Sequence, residues 1–270
     1  MREITVAVVQ MWPKLGEAEN NLGRMAKLIE EIAAAEPVDL IVFPELATTG
    51  YECGVRFTEL ADAVPGHAVN FLAKRAQEAN CHVVFGLVER KRVESIIYDA
   101  AVMIGPDGEV VDKYHKVHLW GEEKLAFRAG YRYPLLETEF GRVGLVLGWD
   151  LAFPEVARTY ALKGADLLCV LANWERDKAE EWHSYLKARA YENAVFVAAA
   201  NRVGQELTYT FAGESGVLGP RGQVYVALDG EQESYGLAKI DLDEVRKMRE
   251  EFQLLQCRQP QTYREVVRMY

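Results

Sequence analysis

The feature that most constrains this chain is the imbalance between its strand-like and its helical segments. Roughly a dozen short apolar runs share it with only four long amphipathic stretches. EITVAVVQM (3–11), DLIVFPE (39–45), CHVVFGLVER (81–90), SIIYDAAVMIG (95–105), EVVDKYHKVHL (109–119), DLLCVLAN (166–173) and VFVAAANRV (195–203) read as strands. Further strands are expected around 135–140, 142–151, 215–228 and 235–241. Helices are expected over 17–36, 66–80, Pro154 to about Gly164 and 178–194, with a last short one near 243–250. In the first of these, Leu22, Met25, Leu28, Ile29 and Ile32 recur at spacings of three and four. Pro44 helps end the second strand, PDG at 106–108 is a hairpin signal, and Pro154 and Gly164 suit the start and end of a helix. A doubly wound sheet alternates more strictly, and a barrel of eight strands and eight helices needs twice as many helices. Two sheets packed face to face, with helices outside, fit the count.

Composition narrows the function classes. Across 270 residues no linker or short repeat appears, so one domain, 1–270, is expected. The 31 basic and 41 acidic residues give a formal charge of −10, which argues against a nucleic-acid binder and against docking on anionic lipid. Cys53, Cys81, Cys169 and Cys257 form no C-x-x-C pair, and no His/Asp/Glu set has metal spacing, so no metal or organic cofactor is implied. Scattered thiols, no signal peptide and no apolar run of about 18 residues fit a cytoplasmic protein that does not span a membrane. The last stretch, 251–270, carries Leu254, Leu255, Tyr263, Val266, Val267 and Tyr270 and is too apolar for a loose tail. It packs on its own subunit or reaches a partner.

Three places can carry chemistry. Glu45 follows the apolar run Ile41–Val42–Phe43–Pro44, so its carboxylate stands at a strand's carboxyl end, where α/β folds gather catalytic groups; a water-facing loop carboxylate is the plainer reading. Lys116 sits in KYHKVHLW, and on a strand it would share a face with Tyr114 and His118. A snorkelling edge lysine and a structural histidine are the plainer readings there. In GLVLGWDLAFPEVARTYALKGADL an apolar strand runs into Gly148, Trp149 and Asp150, and a helix opens just beyond. Hydrolases place nucleophiles on such sharp strand-to-helix turns. Here the apex has no side chain, and Gly148 reads as a device for a tight turn or close approach. Asp150 is placed to cap the turn that follows.

FPELATTGY, KYHKVHLW with GEEKLAFRAG behind it, and LGWDLAFPEVARTYALKGADL, in this order, resemble the nitrilase superfamily of carbon–nitrogen hydrolases, nearest its small-amidase branch. The resemblance runs from residue 3 to about 265. It implies an α/β fold, a four-layer α-β-β-α sandwich, and a Glu-Lys-Cys set acting on a small amide. Glu45 matches the general base and Lys116 the cation that stabilises the oxyanion. Glu123, with Glu122 adjacent, matches a second glutamate that orients the lysine. The backbone N–H of Trp149 matches an oxyanion-hole donor. Tyr51, Trp120, Trp149, Asn173 and Trp174 would surround the substrate, with Trp174 as a gate. Arg202 faces the same end or forms a salt bridge. A homodimer or larger homo-oligomer is implied, with the tail reaching over a partner.

One position departs from the pattern. The family's cysteine falls on 148, which is glycine here, and of the other cysteines only Cys53 lies near Glu45 in sequence. The chain as written is therefore expected to be nearly inactive. Either an engineered replacement removed the nucleophile, which the otherwise intact set favours, or a natural member lost it and binds a ligand or partner through the same pocket. Nitrile rather than amide hydrolysis is a further reading, for which the chain is short.

Overall fold

The computed structural model describes residues 2–91 and 96–268. Among them, β1 (Glu3–Gln10), α1 (Ala18–Ala35), β2 (Leu40–Val42), α2 (Phe57–Leu60), α3 (His67–Ala79), β3 (His82–Arg90), β4 (Ile97–Ile104) and β5 (Val110–His115) make the first half. The second half comprises α4 (Glu123–Ala126), β6 (Leu135–Glu137), β7 (Arg142–Leu147), α5 (Pro154–Lys163), β8 (Leu167–Ala172), α6 (Ala179–Asn193) and β9 (Phe196–Asn201), then β10 (Gly216–Leu218), β11 (Val224–Ala227), β12 (Ser234–Asp241) and α7 (Asp243–Phe252).

The strands form two six-stranded sheets, in the orders β12-β1-β2-β3-β4-β5 and β11-β10-β9-β8-β7-β6. β1, β2 and β3 run parallel in one, and β7, β8 and β9 run parallel in the other. Alternation within each strand explains the layers. Val6 and Val8 of β1, and Leu167, Cys169 and Leu171 of β8, face the core between the sheets. Ala7 and Val9 turn outward to α1 and α3, while Leu168 and Val170 turn outward to α5 and α6. Both faces are covered, which is why these strands read as continuous apolar runs. The four-layer α-β-β-α sandwich expected from the sequence is the observed architecture.

Several boundaries move. The 109–119 strand ends at His115, so Lys116 lies just beyond it and the alternation argument does not reach that residue. The 142–151 strand stops at Leu147, where a 3-10 turn, Gly148–Ala152, begins. The 215–228 run is a hairpin of two strands with an irregularity at Val217/Leu218. The expected 95–105 strand begins at Ile97; its first residue, like residues 269–270 of the tail, lies outside the described residues. The PDG turn and the helix signals at Pro154 and Gly164 stand as read, with Gly164 left-handed at φ 97°.

Candidate active site

The carboxyl ends of the parallel strands β2, β7 and β8 meet where the two sheets face each other, and the chain leaving β5 passes beside them. Beyond β2 the backbone still pairs with β3, through Phe43 N–H to the Val84 carbonyl at 2.8 Å and Gly86 N–H to the Pro44 carbonyl at 3.1 Å. Gly86 has a steric reason. A Cβ there would stand 2.4 Å from Leu46 N and 2.6 Å from Glu45 Cα. Leu46 then turns the chain at φ 48°, a left-handed conformation that costs a non-glycine residue about 1–3 kcal/mol. Glu45 is thus fixed by close packing before it and by backbone strain after it.

Lys116 is anchored by its own N–H to the Asp99 carbonyl at 3.0 Å and by its carbonyl, which accepts from Gly130 N–H at 2.7 Å. Its Nζ donates to Glu45 Oε1 at 2.8 Å and to Glu123 Oε1 at 2.7 Å, with Asp99 Oδ2 at 3.8 Å. Glu123 opens the single-turn helix α4; its Oε2 accepts from Trp120 N–H at 2.9 Å and its Oε1 from the Tyr51 hydroxyl at 3.0 Å. Of the adjacent pair, Glu123 is buried and Glu122 is exposed. The second oxygen of Glu45 accepts two bonds from Asn173 at the end of β8, from its backbone N–H and its Nδ2, both at 3.0 Å. Those two bonds join one sheet to the other through the glutamate.

Gly148 sits against this group in a left-handed conformation, φ 39°. A Cβ on it would lie 2.7 and 2.8 Å from the two Glu45 carboxylate oxygens and 2.9 Å from Lys116 Nζ. The atoms it would meet are the ends of long side chains, which must move aside to admit one, and φ 39° is a conformation that a side chain holds only under strain. The cleft is about 40 Å³ in volume, and its lining includes Glu45, Tyr51, Lys116, Glu123, Gly148 and Asn173. An aromatic wall completes it: Trp120 packs on Trp149 at 4.6 Å between ring centroids, and Trp149 on Trp174 at 5.9 Å. Glu45, Tyr51, Lys116, Trp120, Glu123, Gly148, Trp149, Asn173 and Trp174 therefore border one cleft.

Charge in this cleft is concentrated and dry. Burial pulls Lys116 down, but Glu123 and then Glu45 outweigh it and hold the lysine well above its ordinary range. Burial, and then the nearby Glu123 charge, keep the Tyr51 hydroxyl protonated far above its usual value. A buried arrangement of this kind contributes little net stability, because desolvation offsets the attraction.

Two expectations are corrected, and the open readings of Arg202 and Cys53 are resolved. Asp150 does not cap the turn after it. Its carboxylate accepts from the Tyr114 hydroxyl at 2.6 Å, His118 N–H at 2.9 Å and His118 Nδ1 at 2.7 Å, tying the exit of β5 to the 148–152 turn. Trp174 is no free gate: it is 5% exposed, its Nε1–H is bound to the Lys178 carbonyl at 3.0 Å, and it packs against Trp182. Arg202 lies outside the cleft, paired with Glu206, whose carboxylate takes the N–H groups of Tyr51 and Glu52. Cys53 does not border the cleft either; its thiol bonds to the Thr49 carbonyl at 3.2 Å, and burial pushes it up to about 11.

Three residues of the site escaped the sequence reading. Glu175 and Lys178 line the cleft mouth and pair at 2.8 Å. They follow Trp174 by one and four positions, beyond the last of the three motifs, which ends at Leu167. Asp99 lies behind Lys116, and its signal was a charged residue inside the apolar run IIYDAAVMI. Among the described residues no cluster of three or more His, Cys, Asp or Glu is arranged to hold a metal ion, and no helix is long and apolar enough to cross a membrane.

Comparison with known proteins agrees with this geometry. Over 266 residues the chain is 39% identical to a probable nitrilase of Schizosaccharomyces pombe, covering 97% of this chain and 98% of that one. It is 33% identical to a 2-oxoglutaramate amidase of Bacillus subtilis, covering 91% and 94%. Its fold superposes on a carbon-nitrogen hydrolase from Helicobacter pylori with a TM-score of 0.93 at 26% identity, covering 99% of both chains. It also superposes on an amidase from Nesterenkonia sp. AN1 with a TM-score of 0.86 at 26% identity, covering 97% and 96%. That amidase carries the acetamide moiety of fluoroacetamide added covalently at its active-site cysteine. The carbon-nitrogen hydrolase family model matches residues 5–250, and on this evidence the chain belongs to the carbon-nitrogen hydrolase family, the nitrilase superfamily.

Proposed function

We propose that this chain is built as a hydrolase of small amides and that position 148 is its nucleophile position, emptied by glycine. One observation carries the reading: a side chain at 148 would begin within 3 Å of both a buried carboxylate and a buried ammonium. Those are the two groups a thiol needs, one to take its proton and one to receive the charge it creates. The cysteine-bearing amidase of like fold supports it.

With a thiol at 148, Glu45 takes the thiol proton and the sulfur attacks the amide carbonyl. A C–S bond forms, and the carbonyl electron pair moves onto oxygen, where Lys116 and the Trp149 N–H stabilise it. Collapse breaks the C–N bond, and the leaving nitrogen takes the proton from Glu45, so ammonia or an amine departs. Water then attacks the thioester, Glu45 accepting its proton, and the C–S bond breaks to give the carboxylic acid, the departing sulfur taking that proton back from Glu45. Glu123 orients Lys116, and Tyr51, Trp120, Asn173 and Trp174 bound a space suited to a small acyl group. With no side chain at 148 the covalent steps cannot occur. Losing the nucleophile of a comparable hydrolase costs on the order of 10⁶ in turnover.

The 251–270 stretch completes the reading as a subunit contact. The groove between it and α5 is about 740 Å³, with Leu162, Phe252, Tyr263 and Val266 among its lining.

Ammonia release from a panel of small amides tests the proposal, with the chain as it stands beside Gly148→Cys. The expected result is turnover by the variant and none by the parent. If both are inert while calorimetry detects amide binding, the cleft is a binding site only and the hydrolase reading fails.

A further inference from the structure

Asp99 is the one carboxyl of the cluster to which the chemistry above gives no part. It stands near the start of β4, 1% exposed, and neither of its carboxyl oxygens accepts a hydrogen bond; the carboxyl within hydrogen-bonding reach of it is that of Glu45, to which only a protonated Asp99 could donate. Lys116 Nζ is 3.8 Å from Oδ2 but spends its hydrogen bonds on Glu45 and Glu123. An ionised carboxylate that is buried and accepts no hydrogen bond is strongly disfavoured. The count of charges points the same way. Glu45, Asp99 and Glu123 surround a single ammonium, each 6% exposed or less, and ionising all three would leave two negative charges uncompensated in a dry site. One carboxyl must keep its proton. Glu123 accepts from Lys116, Tyr51 and Trp120, and Glu45 from Lys116 and twice from Asn173, donors that Asp99 lacks.

We propose that Asp99 is a positioning residue that stays protonated at neutral pH beside Glu45, leaving Lys116 shared by two carboxylates instead of three. Burial first, and then the charge of Glu45, hold this carboxyl well above the carboxylate range, against the opposing pull of Lys116. The groups facing it are Glu45 beyond β2, Lys116 beyond β5 and Glu123 on α4. The neutral acid fills space that water would otherwise take, adds no third charge to compete for the ammonium, and leaves Glu45 free to gain and lose a proton. The proposal draws its catalytic meaning from the amidase reading. Its protonation state, however, is measured on the chain as it stands, without turnover, so either idea can fail alone.

The experiment is infrared spectroscopy of the chain with all aspartates carrying ¹³C carboxyls. At pH 7 the exposed aspartates are ionised, so a protonated one gives an isolated, isotope-shifted carboxylic-acid C=O band. The band is expected in the unmutated chain and lost in Asp99→Asn. In Glu45→Gln it is expected to disappear at a lower pH, because the neighbouring charge that retains the proton is gone. A merely structural aspartate would show no such coupling. No isotope-shifted acid band at pH 7 in the unmutated chain overturns the proposal, as does a band that persists in Asp99→Asn. A band that titrates identically in Glu45→Gln removes the link to Glu45 and overturns the positioning role. The first measurement needs no variant to fold.

Discussion

Glu45 is a hub where three separate stretches of sequence converge: it receives Lys116 on one oxygen and both donors of Asn173 on the other, with Gly148 Cα behind. In the Gly148→Cys form, Glu45→Gln keeps the shape and loses the base, so kcat is expected to fall about 10²–10⁴-fold, the usual worth of general acid–base catalysis. Comparable loss is expected for Lys116→Ala, since a missing oxyanion donor costs about 10²–10³-fold. Steady-state ammonia release checks both. A glutamine variant that keeps full turnover would show that some other group takes the thiol proton. At this scale the sequence was most legible where a charged or missing side chain interrupts an apolar run, as at Glu45 and Gly148. It was least legible where the partner is distant, because nothing near Asp99 or Asp150 in sequence says which side chains they will meet, from Lys116 and Glu45 for the one to Tyr114 and His118 for the other.

At the scale of the element, β3 does two jobs. Gly86 admits the Glu45 backbone, and Gly86→Ala is expected to cost about 1–3 kcal/mol through overpacking and to lower turnover of the Gly148→Cys form by displacing Glu45. Denaturant unfolding and ammonia release read the two effects. Further along the strand, Glu89 is 2% exposed and gathers Lys113 at 2.7 Å, His115 at 2.5 Å and Lys91 at 2.9 Å, binding β3 to β5 across β4. Burial opposes its charge, but the three bases outweigh that and hold Glu89 down at about 2, below its ordinary 4.5. A carboxyl whose folded value is depressed contributes stability that is fully present above its unfolded value and is lost as pH falls through the folded one. The Tm difference between the parent and Glu89→Gln is therefore expected to be largest above about pH 4.5 and to shrink toward pH 2; a difference independent of pH would contradict the assignment. Element types were legible because both faces of the central strands are covered, which writes them as unbroken apolar runs. Their ends were not, because the backbone at Lys116 and Pro44 stays bonded to a neighbouring strand after the regular ladder stops.

For the whole molecule, the count of strands against helices already pointed to two sheets with helices outside, because the helices are too few for a doubly wound sheet or an eight-stranded α/β barrel. What it did not contain is the meeting of the two sheets at their carboxyl ends, which takes Glu45 from one and Gly148 and Asn173 from the other and makes a site of residues up to 128 positions apart. The tail acts at the same scale. Removing residues 254–270 uncovers Leu162 and the rest of the apolar groove on α5, and sedimentation velocity is expected to show smaller species than the full chain gives; a full chain that sediments as a monomer would contradict the subunit-contact reading. The central claim, that 148 is where the nucleophile belongs, is tested most directly by intact-mass spectrometry of Gly148→Cys quenched in acid during turnover of small amides. The acid traps the thioester before water reaches it, and the account predicts one added acyl mass that maps to position 148 and is absent from the chain as it stands. An adduct on Cys53 or Cys257 instead, or none although Gly148→Cys turns the same amides over, would contradict it.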